Sequence, residues 1–162
     1  MLFYIWMAVV IAIDQWSKYR IRATMEVGDS VPVLDRVLNL TFIYNKGAAF
    51  SILQGQTWFF LLAVLAVLAG VLYARHRGSF KGKPMMEIGA AVLLGGAIGN
   101  AIDRVAFGQV TDFFEFKFVH FAIFNVADVA VDAGAVLIGL SLLLSSRKDA
   151  ASAAERPEGP EG

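Results

Sequence analysis

The side chains able to do chemistry in this sequence are mostly aspartates. Asp14, Asp103, Asp112, Asp128 and Asp132 stand in or beside long apolar runs, with Asn100, Arg104 and Asn125 among them. An ionised side chain in hydrocarbon costs at least about 2.5 kcal/mol, so such groups normally face a bundle interior or a wet cavity and mark function. Composition closes the other routes. The chain has no cysteine, which removes thiol nucleophiles, zinc-thiolate sites and disulfides. Its two histidines, His76 and His120, lie far apart without an H-E-x-x-H or a nucleophile motif, and a phosphate-cradling G-x-x-x-x-G-K-[ST] is missing too. His120 reads as an interfacial residue. Carboxylate chemistry remains, in which one of two neighbouring carboxyls keeps a proton while the other acts as a base. Spacing alone does not choose the pair.

Each candidate also has a plainer reading. Asp14 and Lys18 are four apart on one helical face and form a local ion pair that anchors structure. Asn100 and Arg104 share that spacing behind Gly95, Gly96 and Gly99, a pattern of tight helix packing through small residues. Packing leaves the guanidinium without a purpose, which favours an Arg104 that faces a ligand's carbonyl or anionic oxygens. Asp128 and Asp132 are a like-charged i, i+4 pair, so one of them needs a proton or a separate partner. Glu87 reads as a charge favoured near a helix N-terminus.

The elements that position these groups belong to a membrane. Of the 162 residues 57% are apolar and 17% charged, with mean hydropathy +0.62. Soluble domains average about 45 to 50% apolar and about 25% charged. Fourteen basic residues balance fourteen acidic ones, which argues against a nucleic-acid partner. A hydrocarbon core about 30 Å thick takes roughly 20 helical residues. Four stretches approach that length: one from Met1 past Asp14, one within 47–74, one near 85–102 and one over 121–146. The expected fold is therefore an all-α integral membrane bundle of four transmembrane helices. A small extracytoplasmic β platform is expected from 31–50 and from the alternating segment 114–118. Residues 1–148 form a single domain, and the Ala-, Glu-, Pro- and Gly-rich stretch 149–162 is expected to be a disordered tail. Four positive charges in the nine residues 75–83, with Arg147 and Lys148 after the last span, put both termini in the cytoplasm. Asp14, Lys18, Asn100, Asp103, Arg104, Asn125 and Asp128 then gather at the outer face.

Five short motifs occur in order: Asp14-Gln15-Trp16-Ser17-Lys18, Tyr44-Asn45-Lys46-Gly47-Ala48-Ala49-Phe50, Gly99-Asn100-Ala101-Ile102-Asp103-Arg104, Val110-Thr111-Asp112-Phe113 and Phe124-Asn125-Val126-Ala127-Asp128. Together they resemble the successive motifs of the lipoprotein signal peptidases, the type II signal peptidases of bacteria, over roughly residues 5 to 146. Thr111 stands where that family often has valine, and Asp132 where an uncharged residue is more usual. The resemblance implies an aspartyl endopeptidase of the bacterial inner membrane. It would cut signal peptides from diacylglyceryl-modified prolipoproteins, on the amino side of the lipidated cysteine, near the periplasmic face. It maps the catalytic pair onto Asp112 and Asp128, places Asn45, Asn100, Arg104 and Asn125 around the substrate, and leaves Asp14 and Lys18 in structural support. Phe113, Phe114 and Phe116 are candidates to cover the acyl-bearing site. No metal or organic cofactor is implied; the expected partners are the lipidated substrate and membrane lipids, with the chain a monomer. The rival reading is a small proton-coupled transporter. It fits less well, because the inner halves of the second and fourth spans are almost free of ionisable residues.

Overall fold

Apolar length sets the architecture. In the computed structural model the chain runs α1 (Leu2–Thr24), β1 (Ser30–Leu34), β2 (Leu38–Asn45), α2 (Thr57–His76), α3 (Pro84–Phe107), β3 (Val110–Phe116) and α4 (Val126–Ala154). The structure describes residues 1–47 and 57–154, of which 148–154 only as helical backbone. Ala48, Ala49 and Phe50 of the second motif, and residues 155–162, lie outside the described residues. Three helices among the described residues are long and apolar enough to cross a membrane: Thr57–His76, Pro84–Phe107 and Val126–Arg147. The fourth expected span, α1, has the length at 23 residues. Asp14, Gln15, Ser17 and Lys18 make it too polar to qualify on composition. At the other end α4 continues as helix to Ala154, past the boundary at 148 drawn from composition, because the Ala- and Ser-rich residues 149–154 are compatible with helix.

α3 is the central post. It packs most extensively on α4, then on α1, and more thinly on α2. Small residues make the α3–α4 seam close. A Cβ on Gly96 would run into the carbonyl oxygen of Ala127, and one on Gly134 would meet the backbone oxygen of Gly89 and nitrogen of Leu93, both at 2.6 Å. α1 buries one stripe, Phe3, Asp14, Lys18 and Ile21, and Val10 of the same helix fills the space above Gly95. The apolar core joins Phe3, Ala90, Ala91 and Leu94. α2, by contrast, buries none of its residues.

The β platform is a three-stranded antiparallel sheet of order β1-β2-β3, so the fold is mainly helical rather than purely so. The segment expected as one β element over 31–50 is a hairpin, β1 and β2. The other strand starts at Val110, four residues before the expected 114. Alternation at 114–118 misled because β3 is buried on both faces at its start: Val110, Thr111, Asp112 and Phe113 are all covered. Gly108, at φ +70°, ends α3 with its N–H on the Arg104 carbonyl and turns the chain into β3. That left-handed turn costs little only for glycine. Phe124 is then pinned beside β3, its N–H on the Phe114 carbonyl at 3.1 Å and its carbonyl accepting from the N–H groups of Phe113 and Phe114 at 3.0 and 2.8 Å. α4 therefore begins beside Asp112.

Overpacking a tight seam costs about 1–3 kcal/mol. Gly96→Ala is accordingly expected to lower the thermal midpoint of the detergent-solubilised protein by several degrees. Gly139→Ala, where nothing stands within 4 Å of the new Cβ, is expected to leave it unchanged or slightly raised.

Candidate active site

α1 contributes a lysine with no exposed surface. Lys18 Nζ lies 2.9 Å from Asp14 Oδ2 and 3.9 Å from Asp103 Oδ2, and all three side chains are fully buried. Gly99 makes room for this pair, since a Cβ there would collide with the Asp14 carboxylate. Asp14 Oδ1 also accepts the backbone N–H of Ala127 at 3.0 Å, tying α1 to the first turn of α4. Gln15 of α1 donates to the Gly99 carbonyl at 3.0 Å. Arg22 donates to Thr111 Oγ1 at 2.8 Å, while Asp103 Oδ2 accepts the Thr111 N–H at 2.9 Å. Thr111 thus gives Arg22 a hydroxyl partner. Gln15, Arg22 and Thr111 had no role in the sequence reading; the i, i+4, i+8 spacing of Asp14, Lys18 and Arg22 was the available signal.

Asp112 and Asp128 stand on one connected set of hydrogen bonds. Asn45 donates its Nδ2 to Asp112 Oδ2 at 2.9 Å, and Asn125 donates its own to Asp112 Oδ1 at 2.6 Å. Asn100 Nδ2 donates to Asp128 Oδ1 at 2.7 Å, and the backbone N–H of Asn125 reaches Asp128 Oδ2 at 3.0 Å. Each carboxylate oxygen of the two aspartates therefore accepts one donor. Asn125 Oδ1 in turn accepts the Asp128 N–H at 3.1 Å. That exchange is a capping box, in which an N-terminal residue and the residue three positions on satisfy each other's orphan amides. Two of the amide orientations follow from their other partners. Asn45 Oδ1 accepts the Gly47 N–H at 2.9 Å. With the oxygens of Asn45 and Asn125 so engaged, their NH2 groups must point at Asp112.

Both aspartates line a cavity of about 740 Å³ with Asn45, Arg104, Phe116, Phe121, Phe124 and Asp132. A smaller cavity of about 270 Å³ adjoins it between α2, α3 and α4, and Asn100, Arg104, Asp128 and Asp132 border that one. The Arg104 guanidinium lies 4.4 Å from the Phe60 ring centroid and donates to the Gly47 carbonyl at 3.3 Å. Phe116 lines the large cavity as expected of a covering residue. Phe113 and Phe114 do not: Phe113 is buried with Ile21 and Phe42, and Phe114 packs against that cluster. Asp112 is 2% exposed. Burial first, and the neighbouring Asp128 charge second, push its carboxyl from the ordinary 3.8 up to about 7, against the pull of the Asn45 and Asn125 hydrogen bonds. Among the described residues no three His, Cys, Asp or Glu side chains group as metal ligands. The arrangement therefore holds two interacting carboxyls, one inclined to keep a proton at neutral pH, on the wall of a largely apolar cavity.

The model of the family described as signal peptidase (SPase) II matches residues 6–144. The lipoprotein signal peptidase of Brevibacillus brevis is 42% identical over 149 residues, covering 92% of this chain and 99% of the relative. That of Bacillus subtilis is 40% identical, covering 91% of this chain and 97% of the relative. A solved bacterial membrane enzyme, determined by the in meso method at 2.3 Å, superposes with a TM-score of 0.85 at 33% identity, covering 99% of this chain and 94% of its own. A second, at 1.9 Å, gives 0.81 at 35% identity, covering 88% and 92%.

Asn125 both caps α4 and holds Asp112. Losing an N-cap costs about 1 kcal/mol. Asn125→Ala is expected to lower stability by more than that, read from thermal unfolding in detergent, and Asn125→Ser, which keeps a capping oxygen but no donor for Asp112, to recover only the capping share of about 1 kcal/mol.

Proposed function

The chain belongs to the signal peptidase II family, a family of proteases that remove signal peptides from prolipoproteins; from that premise we propose that it works as an aspartyl endopeptidase whose reacting pair is Asp112 and Asp128. The observation that carries this reading is the bridge between them: Asn125 donates to one and exchanges two hydrogen bonds with the other, on the wall of one cavity. Asp112, whose carboxyl burial raises to about 7, takes the role of the acid, and Asp128 that of the base.

A water between them loses a proton to Asp128 as its oxygen attacks the scissile carbonyl, while the Asp112 hydroxyl hydrogen-bonds the carbonyl oxygen. Collapse of the tetrahedral intermediate breaks the C–N bond as the Asp112 carboxyl gives its proton to the leaving amine, and the proton that Asp128 took from water restores the singly protonated pair. That amine is the α-amino group of the diacylglyceryl-modified cysteine, so the cut falls on its amino side. Asn45, Asn100 and Asn125 keep the carboxyls in place beside the bound peptide. Arg104, anchored on Phe60 and Gly47, holds a substrate carbonyl and sets its register, and positioning of this kind contributes several kcal/mol to a barrier.

The same reading includes α1 as a fourth span, with Asp14 and Lys18 turned into the bundle and away from lipid. Both termini are then cytoplasmic, the basic turn at 75–83 is inside, and the site lies at the periplasmic side of the inner membrane. The substrate's lipid stays in the bilayer while its peptide bond reaches the dyad. The enzyme acts as a monomer and without a cofactor. The transporter reading has less support: among the described residues the ionisable side chains in the last turns of α2 are Tyr73, Arg75 and His76, and the rest of that helix has none.

Asp112→Asn and Asp128→Asn are each expected to abolish cleavage of a diacylated prolipoprotein in detergent while the protein stays folded; full turnover by either variant excludes the dyad. Asp132→Asn is expected to keep substantial activity, and a loss as deep as that of the other two reassigns the pair. Since the acid form of Asp112 is required, kcat is expected to fall as pH rises through about 7. The sign for stability is the same. A carboxyl raised on folding gives a contribution that is complete below the ordinary 3.8 and is lost as pH climbs through about 7. Thermal midpoints across that range check it.

A further inference from the structure

Lys18 contacts more than its ion-pair partner. Its ammonium donates to Asn100 Oδ1 at 2.8 Å, and the NH2 of the same carboxamide donates to Asp128 Oδ1 at 2.7 Å. An ammonium has only donors, so it accepts nothing from Asn100 and forces that side chain to present its oxygen. The NH2 then has one direction left, toward Asp128. Asn125 Nδ2 also reaches the Asn100 oxygen, at 3.1 Å, but it is shared with Asp112. The charged donor is the shorter of the two, and charge-assisted hydrogen bonds are roughly twice as strong as neutral ones. A cation on the oxygen of an amide also polarises its N–H bonds, since hydrogen-bonded chains in a low-dielectric interior strengthen one another.

We infer that Lys18 is a positioning residue for the reaction: through Asn100 it fixes the donor that holds Asp128 in place as the carboxylate facing the attacking water. The inference rests on Asp112 and Asp128 being the reacting pair. It differs from structural support in what it requires. An ion pair with Asp14 alone needs no third partner, and Asp14 is already tied to Ala127 and Gln15. The environment of Lys18 is closed by Asp14 of its own helix and Asp103 of α3, the latter shared with Arg22. Around Asp128 stand Arg104 of α3, Asp112 of β3 and Asp132 of α4, which border the same cavity. α2 brings Phe60 to that cavity and no charge, and Lys46 after β2 is exposed. Lys18 is thus the one buried cation among the described residues with a hydrogen-bonded path through a single side chain to Asp128.

The test compares wild type, Asp14→Asn, Lys18→Met and the double variant Asp14→Asn with Lys18→Met, as full-length protein in detergent on a diacylated prolipoprotein. Each is assayed well below its own melting temperature. Asp14→Asn keeps an oxygen for the Ala127 N–H and keeps the Lys18–Asn100 bond, so kcat is expected to stay near the wild-type value although the protein melts earlier. The double variant leaves no unpaired aspartate at position 14, which keeps the measurement possible if Lys18→Met alone does not fold. Its kcat is expected to fall roughly 30-fold with KM little changed, in line with the loss that follows from misplacing a reacting group. Equal kcat in Asp14→Asn and the double variant overturns the inference and leaves Lys18 a structural residue; a loss confined to KM overturns it as well. The dyad reading fails separately, if wild type does not cleave or if Asp112→Asn and Asp128→Asn do.

Discussion

One carboxamide joins the parts of this molecule that would otherwise be independent. Asn125 ends the connection from the sheet, begins α4, and reaches Asp112 on β3 and Asn100 on α3. Its place follows from Phe124, which is bonded to β3 as if it were a short fourth strand. Sheet and bundle therefore cannot shift against each other without breaking a buried hydrogen bond to a carboxylate. Leaving such a group unsatisfied costs about 1–3 kcal/mol, and more where charge is involved.

The polar cluster around it is complete. Among the described residues no buried side-chain nitrogen or oxygen lacks a partner. A full set of partners is what makes an ion pair tolerable in a helical bundle, where desolvation offsets much of the Coulomb attraction. The charges come in layers. Asp14, Lys18, Asp103 and Arg22 pack where α1, α3 and β3 meet, and the carboxyls of Asp112 and Asp128 face the cavity beyond them. The asparagines lie between the two layers and link them without adding charge. The small residues of the α3–α4 seam belong to the same design, because bringing two helices close sets the separation of Asn100 from Asp128.

Much of the site was legible in the sequence, and for a physical reason: aspartate, asparagine and arginine in apolar runs are rare enough to stand out one by one. Asp14, Lys18, Asn100, Asp103, Arg104, Asn125 and Asp128 could be gathered at one depth from span counting alone. Asp112 could not, since it lies in a loop by that count, and only the resemblance singled it out. Thr111 and Arg22 were missed because a hydroxyl and an outer-end arginine are unremarkable in sequence; their pairing depends on how β3 approaches α1. Strand register was the weakest part of the fold reading. β3 is covered on both faces by helices and by its own neighbours, so its start lacks the polar–apolar alternation that reveals a half-exposed strand. α1 shows the opposite difficulty: its polar face is turned inward, and composition alone then understates its place in the bundle.

The helix that carries Phe60 is also the one with least internal hold. α2 buries none of its residues, yet its mean hydropathy of 2.3 is the highest of the three candidate spans. A segment of that kind is kept in place by the solvent around the protein more than by the protein. The clearance between Phe60 and the rest of the cavity is therefore a shared property of the chain and its surroundings. A spanning helix answers a mismatch in hydrocarbon thickness by tilting, and tilting α2 would carry Phe60 with it. The side of the cavity that Phe60 lines is thus the one held by a helix without a buried residue.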